Sequence, residues 1–380
     1  MARSRNSQEV HDMVNSEEDR IDLNKLLPYT REQLIPTGST LLNLALSGDP
    51  YGGFRIGTIN NIIGDSAAGK TFLLWTIFAE MCYQSRFDDY DLNYDEPEAS
   101  LEFPISSLFG STVDARVLCE PVSETVEEFH DNIMERLEPK EAKDEESTEE
   151  DDRESTKKRG KKKPKVVKPF AWGLDSLDSI CTEDEEARDI RKGTFGGQKP
   201  KLVSEILRKI NGKIKKTDSI LFVVSQTRDA IGVTFGSKKT RSGGKALKFF
   251  STHEMWLAIE GHIKRKKIDV GVDVIVKVSK NKLTGRQRTI NFPIYYDYGI
   301  DDVTSCIDFL IDEGVWTEKD GVLRTKGDFT SEEKTNRSKI ISIIEDGKKD
   351  ELITLTAKVW HDREFSAATK DRKPKYETAD

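Results

Sequence analysis

One glycine-rich octapeptide carries residues suited to hold phosphate. The pattern G-x-x-x-x-G-K-[ST] is matched in full by Gly64, Asp65, Ser66, Ala67, Ala68, Gly69, Lys70 and Thr71. Small residues let backbone N–H groups close around phosphate oxygens, and the N-terminus of a following helix adds partial positive charge. Lys70 would reach the β- and γ-phosphates of a nucleoside triphosphate, and Thr71 would offer a hydroxyl to Mg²⁺. The octapeptide therefore predicts a site for ATP with Mg²⁺.

Acidic residues after two apolar runs could complete this site. Asp175 follows the run Phe170–Leu174 and is placed to hold the metal ion, whereas Ser176 and Asp178 are expected to cap the next helix. A second run begins near Leu92 and ends in three candidates for orienting the attacking water, Asp95, Glu96 and Glu98. Spacing alone does not choose among these three. The expected chemistry is phosphoryl transfer, in which positioning and charge stabilisation dominate.

A long segment after residue 226 is rich in glycine and positive charge. Its basic residues are Arg228, Lys238, Lys239, Arg241, Lys245 and Lys248. Its glycines make it too flexible for a core, and its cations could pair with phosphates. One aromatic residue among these bases, Phe235, suits non-specific contact with single strands by stacking or insertion. The alternative is an ordinary exposed loop. A shorter segment of similar composition spans residues 188–199.

The elements that must position these residues alternate along the chain between about residues 35 and 300. Buried strands are predicted at Ile56–Ile63, Arg116–Cys119, Phe170–Leu174 and Ser219–Val224. Helices are predicted at residues 71–83 and 126–137 and around residues 202–210. Strands that alternate with helices predict an α/β fold with a mostly parallel sheet flanked by helices.

Three segments differ from this α/β pattern. Residues 1–34 are predicted to be a polar N-terminal arm with a short helical stretch at 17–27. Residues 138–168 are highly charged and almost free of large apolar side chains, so a disordered insert is expected there. Residues 301–380 predict a small, mainly helical C-terminal domain with a polar tail. In this domain Gly314 is expected to end one helix, and Thr330 with Glu333 to cap another.

Composition narrows the class of protein. The chain has 380 residues and a net charge of −8, so any polyanion partner must meet a local basic surface. Its four cysteines are scattered and form no Cys-x-x-Cys pair, which favours a reducing compartment. There is no apolar run of membrane-spanning length. A cytoplasmic protein without a membrane partner is expected.

In several ordered motifs the sequence resembles the bacterial RecA family of DNA recombinases and its phage relatives. The motifs are residues 35–39, the octapeptide 64–71, and residues 225–236, 243–249, 276–282 and 298–300. The resemblance runs from about residue 35 to residue 300, apart from the charged insert, and implies a RecA-like P-loop ATPase core. The C-terminal region looks closer to the phage relatives. Ser106 stands near the place of the family's adenine-stacking aromatic residue.

The resemblance also implies roles for individual residues. Gln226 would sense the γ-phosphate, and residues 227–240 would form a DNA-binding loop with Phe235 at its tip. The DNA path would include Arg228, Gly243, Gly244 and Lys248. Lys280 and Lys282 would reach the ATP of the neighbouring subunit. Spacing to the following Phe109-Gly110 favours Glu98 over Glu96 as the water-activating acid.

These features together predict an ATP-dependent recombinase that binds single-stranded DNA. It would form a homo-oligomeric helical filament, pair with homologous duplex DNA and exchange strands, with mediator or single-strand-binding proteins as further partners. A replicative helicase of the same superfamily is one alternative. An ATP-switched recombination mediator without strand exchange of its own is another.

Overall fold

The structure is a computed structural model of the chain. It describes residues 29–101, 104–138, 167–189, 197–229, 239–241, 244–325, 327–330 and 334–367. The predictions for the helical stretch at residues 17–27, for most of the charged insert and for the polar tail lie outside these ranges.

Fourteen strands are present in the described residues. In chain order they are β1 (Leu34–Ile35), β2 (Phe54–Arg55), β3 (Ile59–Gly64), β4 (Asp91–Asp95), β5 (Val117–Leu118), β6 (Phe170–Leu174), β7 (Ile220–Asp229), β8 (Lys239–Arg241), β9 (His253–Arg265), β10 (Ile268–Asn281), β11 (Arg288–Tyr295), β12 (Gly299–Ile300), β13 (Thr317–Lys319) and β14 (Val322–Arg324).

Eleven α-helices accompany these strands in the described part of the chain. They are α1 (Thr40–Leu46), α2 (Lys70–Cys82), α3 (Ile105–Phe109), α4 (Ser111–Arg116), α5 (Val126–Leu137), α6 (Glu183–Glu186), α7 (Gln198–Lys216), α8 (Gly244–Phe250), α9 (Asp302–Asp312), α10 (Arg337–Glu345) and α11 (Lys349–Ser366). Short 3-10 helices lie at Arg31–Gln33 and Ser85–Phe87. No helix in the described ranges combines the length and apolar character that a membrane span needs.

Ten strands form one central sheet in the order β12-β11-β10-β9-β3-β7-β6-β4-β5, with β8 attached to β7. The strands from β9 to β5 in this order pair in parallel. Parallel pairing brings the carboxyl ends of β3, β4, β6 and β7 to one edge of the sheet. This α/β architecture with helices beside a mostly parallel sheet confirms the predicted fold class.

The other end of the sheet is an antiparallel meander of β9, β10, β11 and β12. Its two longest strands, β9 and β10, meet in a hairpin with Lys266 and Lys267 as the turn. Sequence patterning did not indicate this meander. Alternate residues of β9 become exposed after Leu257, where the strand leaves the packed part of the sheet.

Apolar side chains pack against both faces of the sheet. On one face, α5 and α7 contribute Phe129, Ile133, Ile206 and Ile210 to a core that includes Trp172 of β6. The opposite face is covered by α1, α2 and the helices after residue 301, whose apolar residues belong to one continuous cluster. The predicted boundary of a separate C-terminal domain stays a prediction, since this region shares that cluster with the sheet.

Local patterns predicted several elements well. The helix Val126–Leu137 and the strand Phe170–Leu174 have the expected bounds. Gly314 follows α9 in the left-handed conformation, with φ of 74°.

Other local predictions need correction. The strand predicted at Arg116–Cys119 is present but shorter, as β5 at Val117–Leu118, because Arg116 still belongs to helix α4. Asn336, and not Thr330, caps α10, because its side chain accepts from the backbone N–H of Lys339. Glu333 lies outside the described residues.

Candidate functional site

The octapeptide 64–71 connects the end of β3 to the start of α2. Gly69 precedes the helix with φ of 83°, a conformation that side chains with a Cβ adopt at a cost. A Cβ on Gly64 would lie 2.6 Å from the carbonyl oxygen of Leu257 in β9, so this position has room only for glycine. The strand, the glycine turn and the helix therefore stand in the order that a phosphate-binding loop requires.

Lys70 is the cation of this loop. Its side chain is largely buried, and Nζ donates a hydrogen bond of 2.7 Å to the carbonyl oxygen of Asp65. Burial lowers the pKa of Lys70, and the nearby charges of Asp175 and Glu98 oppose that shift. A buried ammonium among carboxylates can bind further phosphate oxygens without leaving the site.

Thr71 and Asp175 meet where the sequence predicts a metal ion. The Thr71 hydroxyl donates to Oδ2 of Asp175 at 2.6 Å, and the Tyr94 phenol donates to the same oxygen at 3.2 Å. Burial raises the pKa of Asp175, while the hydrogen bonds from Thr71 and Tyr94 and the charge of Lys70 oppose that shift. One hydroxyl and one carboxylate fit Mg²⁺, which takes few protein ligands and completes its shell with phosphate and water oxygens.

Glu98 lies beside this pair, on the segment that follows β4. Oε1 of Glu98 accepts hydrogen bonds from the hydroxyls of Ser176 at 2.5 Å and Ser179 at 2.7 Å, and from Nε2 of Gln226 at 3.1 Å. Partial burial alone would raise the pKa of Glu98, but these three donors and the charge of Lys70 outweigh it and lower the pKa. The carboxylate is therefore held ionised near Lys70.

The two rival acids are engaged elsewhere. Asp95 is buried and accepts from the backbone N–H and hydroxyl of Ser123 and from the Trp172 indole. Glu96 accepts from the backbone N–H and hydroxyl of Ser100, within its own turn. Of the three acids, the structure brings Glu98 to Gln226, while the others stabilise local structure.

Gln226 and Thr227, in the second half of β7, lie beside the octapeptide 64–71, and Gln226 pairs with Gly64 in the sheet. The Gln226 side chain contacts Glu98, and its backbone N–H donates to Oδ2 of Asp178 at 2.8 Å. The hydroxyl of Thr227 donates to a carboxylate oxygen of Asp65 within the octapeptide. The octapeptide 64–71 is thus in direct contact with β7, the strand that leads into the cationic segment. A movement of the octapeptide would therefore act directly on this strand.

Comparison with known proteins identifies a matching family model and several similar proteins. The family model for the RecA N-terminal domain matches residues 173–301, which include Asp175, Gln226, Lys280 and Lys282. The chain is 28% identical over 287 residues to Protein RecA of Fusobacterium nucleatum, covering 74% of this chain and 65% of that protein. The chain is thus similar to RecA proteins over about three quarters of its length, the matched share being 74% for this relative.

Two further members of the family show the extent of the likeness. Protein RecA of Leptospira meyeri is 29% identical over 282 residues, which are 73% of this chain and 62% of that protein. Protein RecA of Marinobacter nauticus is 28% identical over 309 residues, or 81% and 78% of the two chains. The chain thus spans slightly less than two thirds of the length of the first of these relatives. A phage origin stays a prediction.

The glycine-rich cationic segment after residue 226 begins with paired backbone at the base of a hairpin. Strand β8 pairs antiparallel with β7, with Thr227 opposite Arg241 and Arg228 opposite Thr240. The predicted DNA contacts Phe235, Lys238 and Gly243 lie outside the described residues. In the described part, Lys239 belongs to β8, and the exposed residues of α8 include Gly244, Lys245 and Lys248.

Lys280 and Lys282 lie at the end of the sheet opposite the phosphate loop. Both ammonium groups donate to carbonyl oxygens at the C-terminus of α8: Lys282 to Phe249 at 2.7 Å, and Lys280 to Lys248 and, at 3.1 Å, Phe249. The Phe249 ring is 71% exposed. Within one chain these lysines therefore do not meet the phosphate loop of that chain.

Sequence reasoning missed two groups of residues, one beside this site and one at the tip of the β9–β10 hairpin. Ser176 and Asp178 were expected to cap a helix, but they bind Glu98 and Gln226, and Thr182 caps α6 instead. The second group is the exposed hairpin tip of Lys264, Arg265, Lys266 and Lys267. The run of four basic residues was the available signal for the tip, whereas no local pattern pointed to the contacts of residues 176–179.

Proposed function

We propose that this chain is an ATP-dependent recombinase that binds single-stranded DNA and works as a filament. One observation carries the proposal. The strand leading into the cationic segment contacts the nucleotide loop through Thr227 and Asp65, and it contacts the candidate water-orienting acid through Gln226 and Glu98. The same few residues would therefore link ATP binding in the octapeptide 64–71 to the affinity of the cationic segment for DNA.

The phosphate loop and Lys70 bind and orient the triphosphate of ATP. Thr71 and Asp175 would hold Mg²⁺, which supplies positive charge to the β- and γ-phosphates when bound. Burial of Lys70 strengthens its attraction to phosphate oxygens, since the local dielectric constant is low. The site therefore stabilises the charge that spreads over the transferred phosphoryl group.

Glu98 is suited to orient water rather than to remove a proton early. Within the described residues, the three hydrogen bonds to Glu98 converge on Oε1, and we infer that Oε2 accepts from a water molecule. A carboxylate with a lowered pKa is a weak base, which suits a loose phosphoryl-transfer transition state. Gln226, bonded to the same carboxylate, relays a change at the γ-phosphate into β7.

Two basic stretches of the chain are candidates to bind DNA. The segment between β7 and α8 would hold the single strand through its lysines, arginines and Phe235. The β9–β10 hairpin continues past Leu257, which pairs with Gly64, and carries its basic tip roughly 25 Å further along the strand direction. We infer that this exposed basic tip contacts the phosphates of the homologous duplex.

Filament formation accounts for the placement of Lys280 and Lys282. A neighbouring subunit that presents this face to the phosphate loop would complete the ATP site from outside. Homologous duplex DNA and mediator or single-strand-binding proteins are the further partners of such a filament, acting in the cytoplasm.

The first test is ATP hydrolysis by the whole chain with and without single-stranded DNA at fixed salt. The wild type should hydrolyse ATP faster when DNA is added. Lys70→Ala should lose about a hundredfold or more in rate, because the charge that stabilises the transition state is removed. Lys209→Ala removes an exposed lysine from α7 and serves as the control with an equal change of charge.

Two results would contradict the proposal. One is hydrolysis by Lys70→Ala at the wild-type rate. The other is an affinity for single-stranded DNA that does not change with ATP. Electron microscopy of the same samples separates a filament from the ring of a helicase, and a strand-exchange assay separates a recombinase from a mediator.

A further inference from the structure

The turn after β6 continues the sheet where β6 itself has ended. Pairing between β6 and β7 stops at Leu174 and Val223. Beyond that point, the backbone N–H of Leu177 donates to the carbonyl oxygen of Val224 at 3.0 Å. Residues 176–179 therefore run along the same side of β7 that β6 had occupied.

Asp178 takes the place of the next strand partner. The N–H of Gln226 points to the side of β7 that β6 has left, so no ladder carbonyl meets it there. Oδ2 of Asp178 accepts this N–H at 2.8 Å. A partly buried N–H without an acceptor destabilises its conformation, whereas a charged acceptor forms one of the stronger hydrogen bonds in proteins. The carboxylate thus fixes the backbone that aims the Gln226 side chain.

Ser179 holds the Glu98 side chain in place, as Asp178 holds the Gln226 backbone. Its hydroxyl donates to Oε1 of Glu98 at 2.7 Å and lies 3.1 Å from the Ser176 hydroxyl, which donates to the same oxygen. Glu98 sits on an exposed segment after β4, and these bonds tie it to the turn after β6. The same turn therefore holds both members of the Glu98–Gln226 pair.

We propose that Asp178 and Ser179 are positioning residues for ATP hydrolysis. Asp178 fixes Gln226 through its backbone, and Ser179 fixes Glu98 through its carboxylate, so that the two move as one unit between the nucleotide and strand β7. This inference rests on the proposed function, because it assigns supporting residues to the same reaction.

Substitutions at Asp178 test whether its side chain acts as a hydrogen-bond acceptor for the Gln226 N–H or only fills space. Asp178→Ala removes the acceptor of the Gln226 N–H, while Asp178→Asn keeps an acceptor oxygen of similar reach. We expect Asp178→Ala to lower kcat about tenfold or more, in line with a lost charge-assisted hydrogen bond. The KM for ATP should stay within about twofold, since the phosphate loop is untouched, and Asp178→Asn should recover most of kcat. Wild-type kcat in Asp178→Ala, or equal loss in both variants, would overturn the role of Asp178.

Substitutions at Ser179 report on the carboxylate through pH. Ser179→Ala removes one donor from Glu98, so the pKa of Glu98 rises toward its ordinary value. The acidic limb of the kcat profile should then move to higher pH, because Glu98 becomes protonated sooner as pH falls. Ser179→Thr keeps the hydroxyl and should restore the wild-type profile. An unmoved acidic limb in Ser179→Ala would overturn the role of Ser179.

Amide hydrogen exchange keeps this test separate from the proposed function. A wild type without DNA-stimulated hydrolysis would defeat the proposed function but not the geometry of the turn. The Gln226 amide should exchange faster in Asp178→Ala and at the wild-type rate in Asp178→Asn, at an unchanged melting temperature. Equal exchange in the wild type and Asp178→Ala would overturn the positioning by Asp178 whether or not ATP is hydrolysed.

Discussion

At the scale of single residues, the environment of each acid distinguishes three chemically similar side chains. Asp95 is fully buried and satisfied by Ser123 and Trp172, so its oxygens face no solvent. Glu96 folds back on its own turn. Of the three acids, Glu98 accepts a hydrogen bond from Gln226, and the charge of Lys70 helps to lower its pKa. Its position, and not its acidity, makes it the candidate for orienting water.

Paired substitutions test this choice. Glu98→Gln should lower kcat for ATP hydrolysis about a hundredfold, because an amide is a poor acceptor for an attacking water. Glu96→Gln, the matched control two residues earlier, should stay within about threefold, since it removes only contacts within its turn. Steady-state hydrolysis and ATP affinity are measured for both variants. A larger loss in Glu96→Gln than in Glu98→Gln would reverse the assignment.

At the scale of elements, the β9–β10 hairpin is unusual in its turn. Lys266 and Lys267 both have left-handed backbones, with φ of 50° and 68°. Two-residue hairpin turns of this kind favour Asn-Gly, because a lysine side chain is sterically strained at positive φ. Arg265 lies over the Tyr295 ring at 5.2 Å, and Lys264 pairs with Asp269 at 3.6 Å. The charged tip is retained where an uncharged turn would be more stable, which favours a binding role.

The preferred turn residues provide a test that does not weaken the fold. The double variant Lys266→Asn with Lys267→Gly should keep or raise the melting temperature, because both residues suit the turn. Its affinity for duplex DNA should fall, and the slope of log affinity against log salt should become shallower by up to about 2, from two lost phosphate contacts. Binding titrations at several salt concentrations measure the slope.

The control for this test removes two exposed lysines from α7, by Lys209→Gln with Lys216→Gln. A slope in the hairpin variant equal to that of this control would mean that the tip does not touch duplex DNA.

At the scale of the whole molecule, one chain holds only part of the proposed ATP site. Lys280 lies opposite Glu254, and Glu254 lies opposite Asn61, near the beginning of β3. The phosphate loop follows the other end of β3. These lysines can therefore serve a nucleotide only across a boundary between subunits, as a head-to-tail assembly provides.

Mixing of inactive chains tests such an assembly. Lys70→Ala disables the phosphate loop of a chain, and Lys282→Ala disables the face it offers to a neighbour. A mixture should regain activity toward roughly a quarter of wild type, because random assembly restores that share of intact boundaries. Hydrolysis is measured for each variant alone and for the mixture.

The matched control combines Lys70→Ala with Glu98→Gln, whose defects lie on the same side of the boundary. That mixture should stay inactive. Equal activity in the two mixtures would show that Lys282 acts within its own chain.

The sequence by itself determined the features that depend on neighbours along the chain. The octapeptide 64–71 requires glycine where backbone approaches backbone, and its motif predicted the strand, turn and helix around it. The helix Val126–Leu137 followed from apolar spacing of one helical face, and Phe170–Leu174 from a short buried run. Such signals are local, so one sequence is enough to expose them.

Only the tertiary structure decided which distant residues share a site. The hydrogen bonds of Glu98 to Ser179 and Gln226 join three segments that sheet order, and not sequence spacing, brings together. The sequence pattern also did not predict the long antiparallel pairing of β9 with β10, because the half-exposed ends of both strands lack a continuous apolar pattern. Hydrogen bonds between separate strand ends depend on register across the sheet, which residue spacing along one chain does not contain.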